Sequence, residues 1–449
     1  MSPRRNLLVI LPNGLRSDAV ADEQVWPLQT PNLCQLAARG LRLVCTSACP
    51  ADRGGMVSLL TGLHARQHGF FIDSDRACVT DGLPTWLSDA GYRVGAVGCL
   101  GSLAHQVCDS VIVESASELN LVNCAYWKFV RSKGLGPAIM QQRKARNRSG
   151  PFDPDRLLLE VDDDVDGFIT NEAIKMIDRM PTDQPWALIV LLNGPGNDLP
   201  PPAMFESVLD PADLQQGFTP PDLTQIDALA EPSYPRIMLQ RLDPYHIGRI
   251  RADYLGRVAL IDQAVGRLVS QVNNRPDRDH TWTVFSSDRG HLLGEHGLIG
   301  RRSFLAGAVE VPLMIAPPAI GPSPSQRDDE GLFSTVDVAA TIGALGAADI
   351  PPGVVGRSLM SIWRSEPVMP LPPGGLLSEF NDRLMLETER YKIVFNRARC
   401  RCIGLYDLLQ DPDERQNLVE TAVGRNVIDS LRWRVADALI PLRAPGIAV

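Results

Sequence analysis

SACPADRGGMVSLLTGLHARQHG, residues Ser47 to Gly69, is the stretch on which the reading of this chain turns. A loop of small residues (Pro50, Ala51, Gly54, Gly55) leads into a short apolar run (Met56, Val57, Leu59, Leu60) that closes at Thr61-Gly62. The pattern predicts a loop feeding a helix. The N-terminus of a helix offers unpaired N–H groups and a positive dipole end, which is where a protein places an anion or a nucleophile that attacks one. The two glycines would let backbone come close to such a group.

Working outward, Asn6 to Leu11 (NLLVIL) is an unbroken apolar run ending at Pro12-Asn13-Gly14. That is the pattern of a parallel strand buried on both faces. Thr30-Pro31-Asn32 opens a helix with proline at its first position, and Leu41 to Val44 returns to strand. Leu83 to Gly91 reads as helix, Tyr92 to Gly98 as strand, Asn171 to Arg179 as helix and Trp186 to Leu192 (WALIVLL) as the most apolar strand. A long amphipathic helix follows over Arg251 to Val272. Thr281 to Ser286 is a strand running into Ser287-Asp288-Arg289-Gly290, and Val311 to Ala316 and Ser334 to Leu345 repeat the strand–helix alternation. These elements imply an α/β fold, a large central, mostly parallel sheet flanked by helices. The Pro-rich Pro195 to Pro235 is predicted to cross the surface above the site. Ser365 to Gly375, rich in proline and glycine, divides a domain over 1–365 from a small C-terminal α+β domain over 366–449. The latter reads as short strands (Gly375 to Phe380, Leu384 to Thr388, Tyr391 to Phe395, Gly404 to Leu408) and a closing helix, Val427 to Leu439.

A chain of 449 residues, 44% hydrophobic and 22% charged, suits a large domain with a smaller companion. Its net charge of −9 argues against nucleic-acid or anionic-membrane partners, and the basic run Arg143 to Arg148 is expected to be a solvated loop. The apolar run Leu7 to Leu11 is shorter than a signal-peptide core, and nothing reaches the roughly 20 apolar residues of a membrane span. Nine cysteines at irregular spacings fit a reducing compartment, so a cytoplasmic protein is expected.

Ser58-Leu59-Leu60-Thr61-Gly62 resembles the segment that follows the C-x-P-x-R nucleophile motif of sulfatases. These are the formylglycine-dependent branch of the alkaline phosphatase superfamily, which includes the phosphonate monoester hydrolases. Thr30-Pro31-Asn32, Gly91-Tyr92, Tyr254 to Arg267, Gly294-Glu295-His296-Gly297, Val311-Pro312-Leu313 and Tyr406-Asp407-Leu408 with Asp411-Pro412 are similar to family landmarks in the family's order. The resemblance thus spans nearly the whole chain.

It implies a divalent cation on hard oxygen ligands, an Asp-Asp pair after the first strand and a later Asp with Asn or His. Those positions carry Asn13-Gly14 and Asp288-Arg289 here. Counting back from Ser58 puts the nucleophile position on Asp52, its proline on Gly54 and its arginine on Met56. Cys49-Pro50-Ala51-Asp52-Arg53 is a near-anagram of the motif, and an inserted loop would return Cys49 to the nucleophile place. The family's Lys-x-His falls on Cys99-Leu100-Gly101, its next histidine on Gly196 or Asn197, and its later lysine on Arg301.

Two functions are then open. In the first the hydrolytic centre is degraded, no cofactor is held, and the protein binds or scaffolds a protein partner such as an active relative. Arg289, Arg301, Arg302 and Arg53 would line an oxyanion pocket, with Arg289 in the metal position paired to Asp288 or Asp52. The alternative is a hydrolase of sulfate, phosphate or phosphonate monoesters. It would use Asp52 as nucleophile or base, with arginines in place of the metal or a single Ca²⁺ or Mn²⁺ on Asp288 and Asn13. Plainer roles are also expected: Asp52 as a helix N-cap, His64 and His68 as histidines of a polar turn, His291 and His296 as structural loop residues, and Cys400 and Cys402 on one face of a strand.

Overall fold

The computed structural model describes residues 5–20, 25–70, 81–99, 109–112, 124–149, 156–197, 199–218, 230–231, 233–234, 236–320, 331–364, 366, 375–398 and 401–439. Leu100, Gly101, Cys400, residues 219–229 and most of the Ser365 to Gly375 boundary lie outside the described residues.

Eight strands form the large sheet: β1 (Asn6–Asn13), β2 (Leu41–Thr46), β3 (Arg93–Gly98), β4 (Asp109–Ile112), β5 (Trp186–Pro195), β6 (Thr281–Ser286), β9 (Glu310–Ala316) and β10 (Phe333–Ser334). Between β6 and β9 a short hairpin pairs β7 (Leu292–Leu293) with β8 (Ile299–Gly300). The sheet order is β10-β2-β9-β6-β1-β5-β3-β4, and β9 runs antiparallel to both of its neighbours while the other pairings are parallel. Along β1 the side chains alternate between two cores. Leu8 and Ile10 join one with the helices Val165–Arg179 and Pro244–Asn273; Leu7, Val9 and Leu11 join the other with the helix Thr335–Leu345. A strand covered on both faces needs apolar residues at consecutive positions, which is why NLLVIL shows no alternation.

A second, antiparallel sheet of β11 (Leu376–Phe380), β12 (Arg383–Glu387), β13 (Tyr391–Asn396) and β14 (Arg401–Asp407) is followed by the helix Ala422–Leu439. The two sheets share a core in which Cys49, Ala51 and Phe304 pack with Phe380, Met385 and Val394. No described helix is long and apolar enough to cross a membrane.

Several expectations are corrected. The basic run Arg143 to Arg148 lies on a helix, Gly136–Ser149, whose polar composition hid it from apolar periodicity. After helix α1 (Pro31–Ala38) comes α2 (Asp52–Thr61), of which Asp52 is the first residue and not the cap, which is Ala51. His64 and His68, expected in a polar turn, are buried at the start and end of a short helix, Ala65–His68, with His64 as its N-cap residue.

Candidate functional site

The carboxyl ends of parallel strands are where an open α/β sheet places its ligands, and the candidate residues gather there. Asn13 and Gly14 end β1, Gly196 and Asn197 follow β5, Asp288 and Arg289 follow β6, and the Ser47 to Asp52 loop follows β2. In the β1–β5 ladder Pro12 stands opposite Leu192 but Asn13 opposite Pro195, and this irregularity sets Asn13 at the end of the strand.

Arg289 is only 1% exposed and Asp288 is fully buried. Arg289 Nη2 donates to Asn13 Oδ1 at 2.7 Å, and its Nε lies 3.8 Å from Asp288 Oδ2. Asn13 Nδ2 donates to Asp288 Oδ2 at 3.1 Å, and the Gly14 N–H to Asp288 Oδ1 at 3.0 Å. Burial pushes the Asp288 carboxyl upward, while the Arg289 charge and backbone N–H groups, that of Gly14 first, oppose the shift. The structure brings Arg289 to Asp288, one of the two partners expected for it, and to Asn13; the Asp52 side chain lies outside the described residues.

Two glycines make room for the guanidinium. A Cβ on Gly14, whose φ is +74°, would stand 2.7 Å from Arg289 Nη1 and 2.8 Å from the Gly196 Cα; one on Gly196 would stand 3.2 Å from the same nitrogen. The resemblance puts the family's second aspartate on Gly14 and a histidine on Gly196 or Asn197. The small residues at 14 and 196 and the large cation at 289 therefore fit one another sterically. Sequence reasoning found Arg289 but not this complementarity, and the only signal for it was glycine at two site positions at once.

The loop before α2 is tied to the same place. Ser47 Oγ donates to the Asp288 carbonyl at 2.6 Å, and a Cβ on Gly55 would meet that carbonyl at 3.0 Å and Cys49 O at 2.7 Å. Cys49 is fully buried, its sulfur 2.5 Å from where a Gly54 Cβ would stand. Asp52 opens the helix three residues later. The Arg302 N–H donates to Pro50 O at 3.1 Å from a backbone with φ +67°, and both N–H and C=O of Arg301 bond Ser233 Oγ. Both arginines are half-buried, whereas Arg53, expected in the pocket wall, is exposed on the first turn of α2.

The remaining histidines act in the framework. Phe70 N–H donates to His68 Nδ1 at 3.2 Å, so His68 carries its proton on Nε2 and donates to Ser58 Oγ, 2.9 Å away. That proton placement makes His68 a support for the α2 turn and not a base acting on Ser58. His291 stacks on Tyr254 at 5.7 Å, and the Tyr254 hydroxyl donates to Gly14 O at 2.9 Å. His296 lies 3.0 Å from Asp413 O, on the C-terminal side of the molecule.

A divalent cation does not fit this donor set. Ca²⁺ seeks about 6 to 8 oxygen ligands, and here one carboxylate and one amide oxygen already accept N–H bonds beside a guanidinium. Among the described residues no three His, Cys, Asp or Glu side chains gather as they would around a metal ion.

The layout is that of an α/β protein with its candidate site at the carboxyl ends of the large sheet. A sequence model of the Sulfatase family matches residues 5–348, and the chain belongs to the sulfatase family. It is 28% identical over 283 residues to the choline-sulfatase of Rhizobium meliloti (strain 1021), a match covering 59% of this chain and 53% of that one, about half its length. It is 22% identical over 477 residues to the uncharacterized sulfatase YidJ of Escherichia coli (strain K12), covering 98% and 88%. The phosphonate monoester hydrolase of Agrobacterium radiobacter shares the fold at a TM-score of 0.77 and 19% identity, with 99% and 96% covered.

Proposed function

We propose that this sulfatase-family protein does not hydrolyse esters by a metal-dependent route, and that it works as a binding or scaffolding protein whose arginine-bearing pocket holds a small oxyanion. A protein partner, such as an active relative, is the scaffolded component. One observation carries the reading: the buried Arg289 guanidinium lies between Asn13 and Asp288, where hydrolysis would need a cation held by carboxylates. Metal-assisted hydrolysis asks the ion for several kcal/mol of charge stabilisation in the transition state. A guanidinium can bind an oxyanion through paired N–H donors but supplies neither an open coordination position nor a metal-activated oxygen.

The competing reading gives Asp52 the role of nucleophile or base at the start of α2. Turnover of aryl sulfate, phosphate and phosphonate monoesters by wild type and Asp52→Ala separates the two. The expected result is background turnover in both proteins, with phosphate or sulfate raising the melting temperature of wild type and not of Arg289→Met. Turnover that disappears in Asp52→Ala would replace the binding protein with the hydrolase.

A further inference from the structure

Away from the pocket, the contact between the two sheets encloses an unusual set of charges. On the large sheet Thr46 of β2 stands opposite Glu310 of β9; on the small sheet Glu387 of β12 stands opposite Lys392 of β13. The two pairs meet, with Thr46 Oγ1 3.5 Å from Glu387 Oε2. Glu414 enters from the loop after β14, ion-paired to Lys392, and its Oε2 accepts the Ala306 N–H at 2.8 Å. Lys392 Nζ also donates to Phe304 O at 2.9 Å. Lys392, Glu414 and Glu387 are 1%, 2% and 6% exposed, and Glu310 is half-buried at the edge. Arg16 and Asp18 approach Glu310 from beyond β1, and the Tyr406 hydroxyl faces Glu414.

Three carboxylates thus share the Lys392 ammonium, which is already committed to Glu414, while Arg16 offsets only Glu310 at the edge and leaves Glu387 without a cation of its own. Full ionisation would leave buried negative charge without a partner, a state that proteins avoid by keeping a proton.

We propose that the seam is a proton-linked latch: Glu387 sits between the sheets as the neutral acid, and its ionisation loosens the hold of the C-terminal sheet on the large domain. Burial pushes the Glu387 carboxyl up to about 7; Lys392 works against the shift, and Glu310 and Glu414 add to it. An acid whose value rises on folding, here from 4.5, binds more protons folded than unfolded. Its contribution to stability is complete at acid pH and is lost as pH rises from about 4.5 to about 7. The latch also reaches the pocket. Thr46 is followed by Ser47, which bonds the Asp288 carbonyl, and by Ala48, whose carbonyl accepts the Glu379 N–H of β11 at 3.0 Å.

The test compares melting temperatures of wild type, Glu387→Gln and the exposed control Glu389→Gln in the full-length protein from pH 5 to pH 8. Glu387→Gln is expected to lie nearest wild type at pH 5, to exceed it by up to about tenfold per pH unit in the folded-to-unfolded ratio as pH rises to about 7, and to keep that margin to pH 8. Glu389→Gln follows wild type throughout. At pH 8, amides of β11 to β14 in wild type exchange faster than in Glu387→Gln. Glu310→Gln, which removes one like charge from the seam, shifts stability at pH 8 in the same direction by less. A Glu387→Gln difference that is constant with pH, or a loss of stability at pH 8, would overturn the latch.

Discussion

At the ends of β1 and β6 one guanidinium faces one carboxylate, and the amides of Asn13 and Gly14 satisfy the Asp288 oxygens. At the seam three carboxylates, Glu310, Glu387 and Glu414, surround a single ammonium. Among the described side chains the first cluster matches one guanidinium to one carboxylate, while in the second Lys392 serves three carboxylates and Arg16 offsets only Glu310 at the edge. They should therefore answer to different perturbations, the pocket to loss of one side chain and the seam to pH.

Removing the pocket cation has the largest expected effect. Arg289→Met leaves Asp288 buried and unpaired, and breaking a buried pair in this way costs about 3 to 5 kcal/mol; urea denaturation measures it. Adding Asp288→Asn to that variant should recover part of the loss, whereas a double variant as unstable as the single one would mean the pair is not the source. Gly14→Ala is next, at about 1 to 3 kcal/mol, because alanine must adopt a φ of +74° and its Cβ would meet Arg289 Nη1 at 2.7 Å. In Gly14→Ala/Arg289→Met the cost should shrink to the backbone strain alone. A smaller effect belongs to the histidines. Burial lowers His64 from 6.5 to about 4 and His68 to about 3. They contribute stability that is complete above about 6.5 and lost as pH falls through those values, a slope opposite to that of Glu387. His68→Gln should flatten the acid limb of the stability profile without changing the neutral limb. The smallest effect is Asp52→Ala, below about 1 kcal/mol, the scale of a charge in the first turn of a helix.

What the sequence conveys depends on how local the cause is. The strand Thr281–Ser286 ends where the apolar run ends, because burial on both faces writes itself into consecutive residues. The helix read as Arg251 to Val272 begins earlier, at Pro244, where the Asp243 side chain accepts the His246 N–H; aspartate before proline was a legible start signal. The helix read from Asn171 begins at Val165. Its first turn is fixed by Arg257, about 90 positions away in sequence, which bonds Asp164 at 3.0 Å and Asp166 at 2.6 Å. A pairing of that range leaves no periodicity to read. The direction of β9 was equally hidden, since an apolar run does not state which way its neighbours point. In the pocket, residue identities at 13, 14, 288 and 289 were legible from the resemblance, but the steric fit of two glycines around one guanidinium exists only once three strand ends meet.

The central claim is that Arg289 takes the place of a bound metal, and the most direct test is the metal content of the purified protein, before and after incubation with Ca²⁺, Mn²⁺ and Zn²⁺, with melting temperature read alongside. The account predicts less than a tenth of an equivalent per chain, in the sense of adventitious traces only, and an unchanged melting temperature. One tightly held equivalent with a raised melting temperature would show that Asn13, Asp288 and their neighbours build a cation site with Arg289 displaced, and would contradict it.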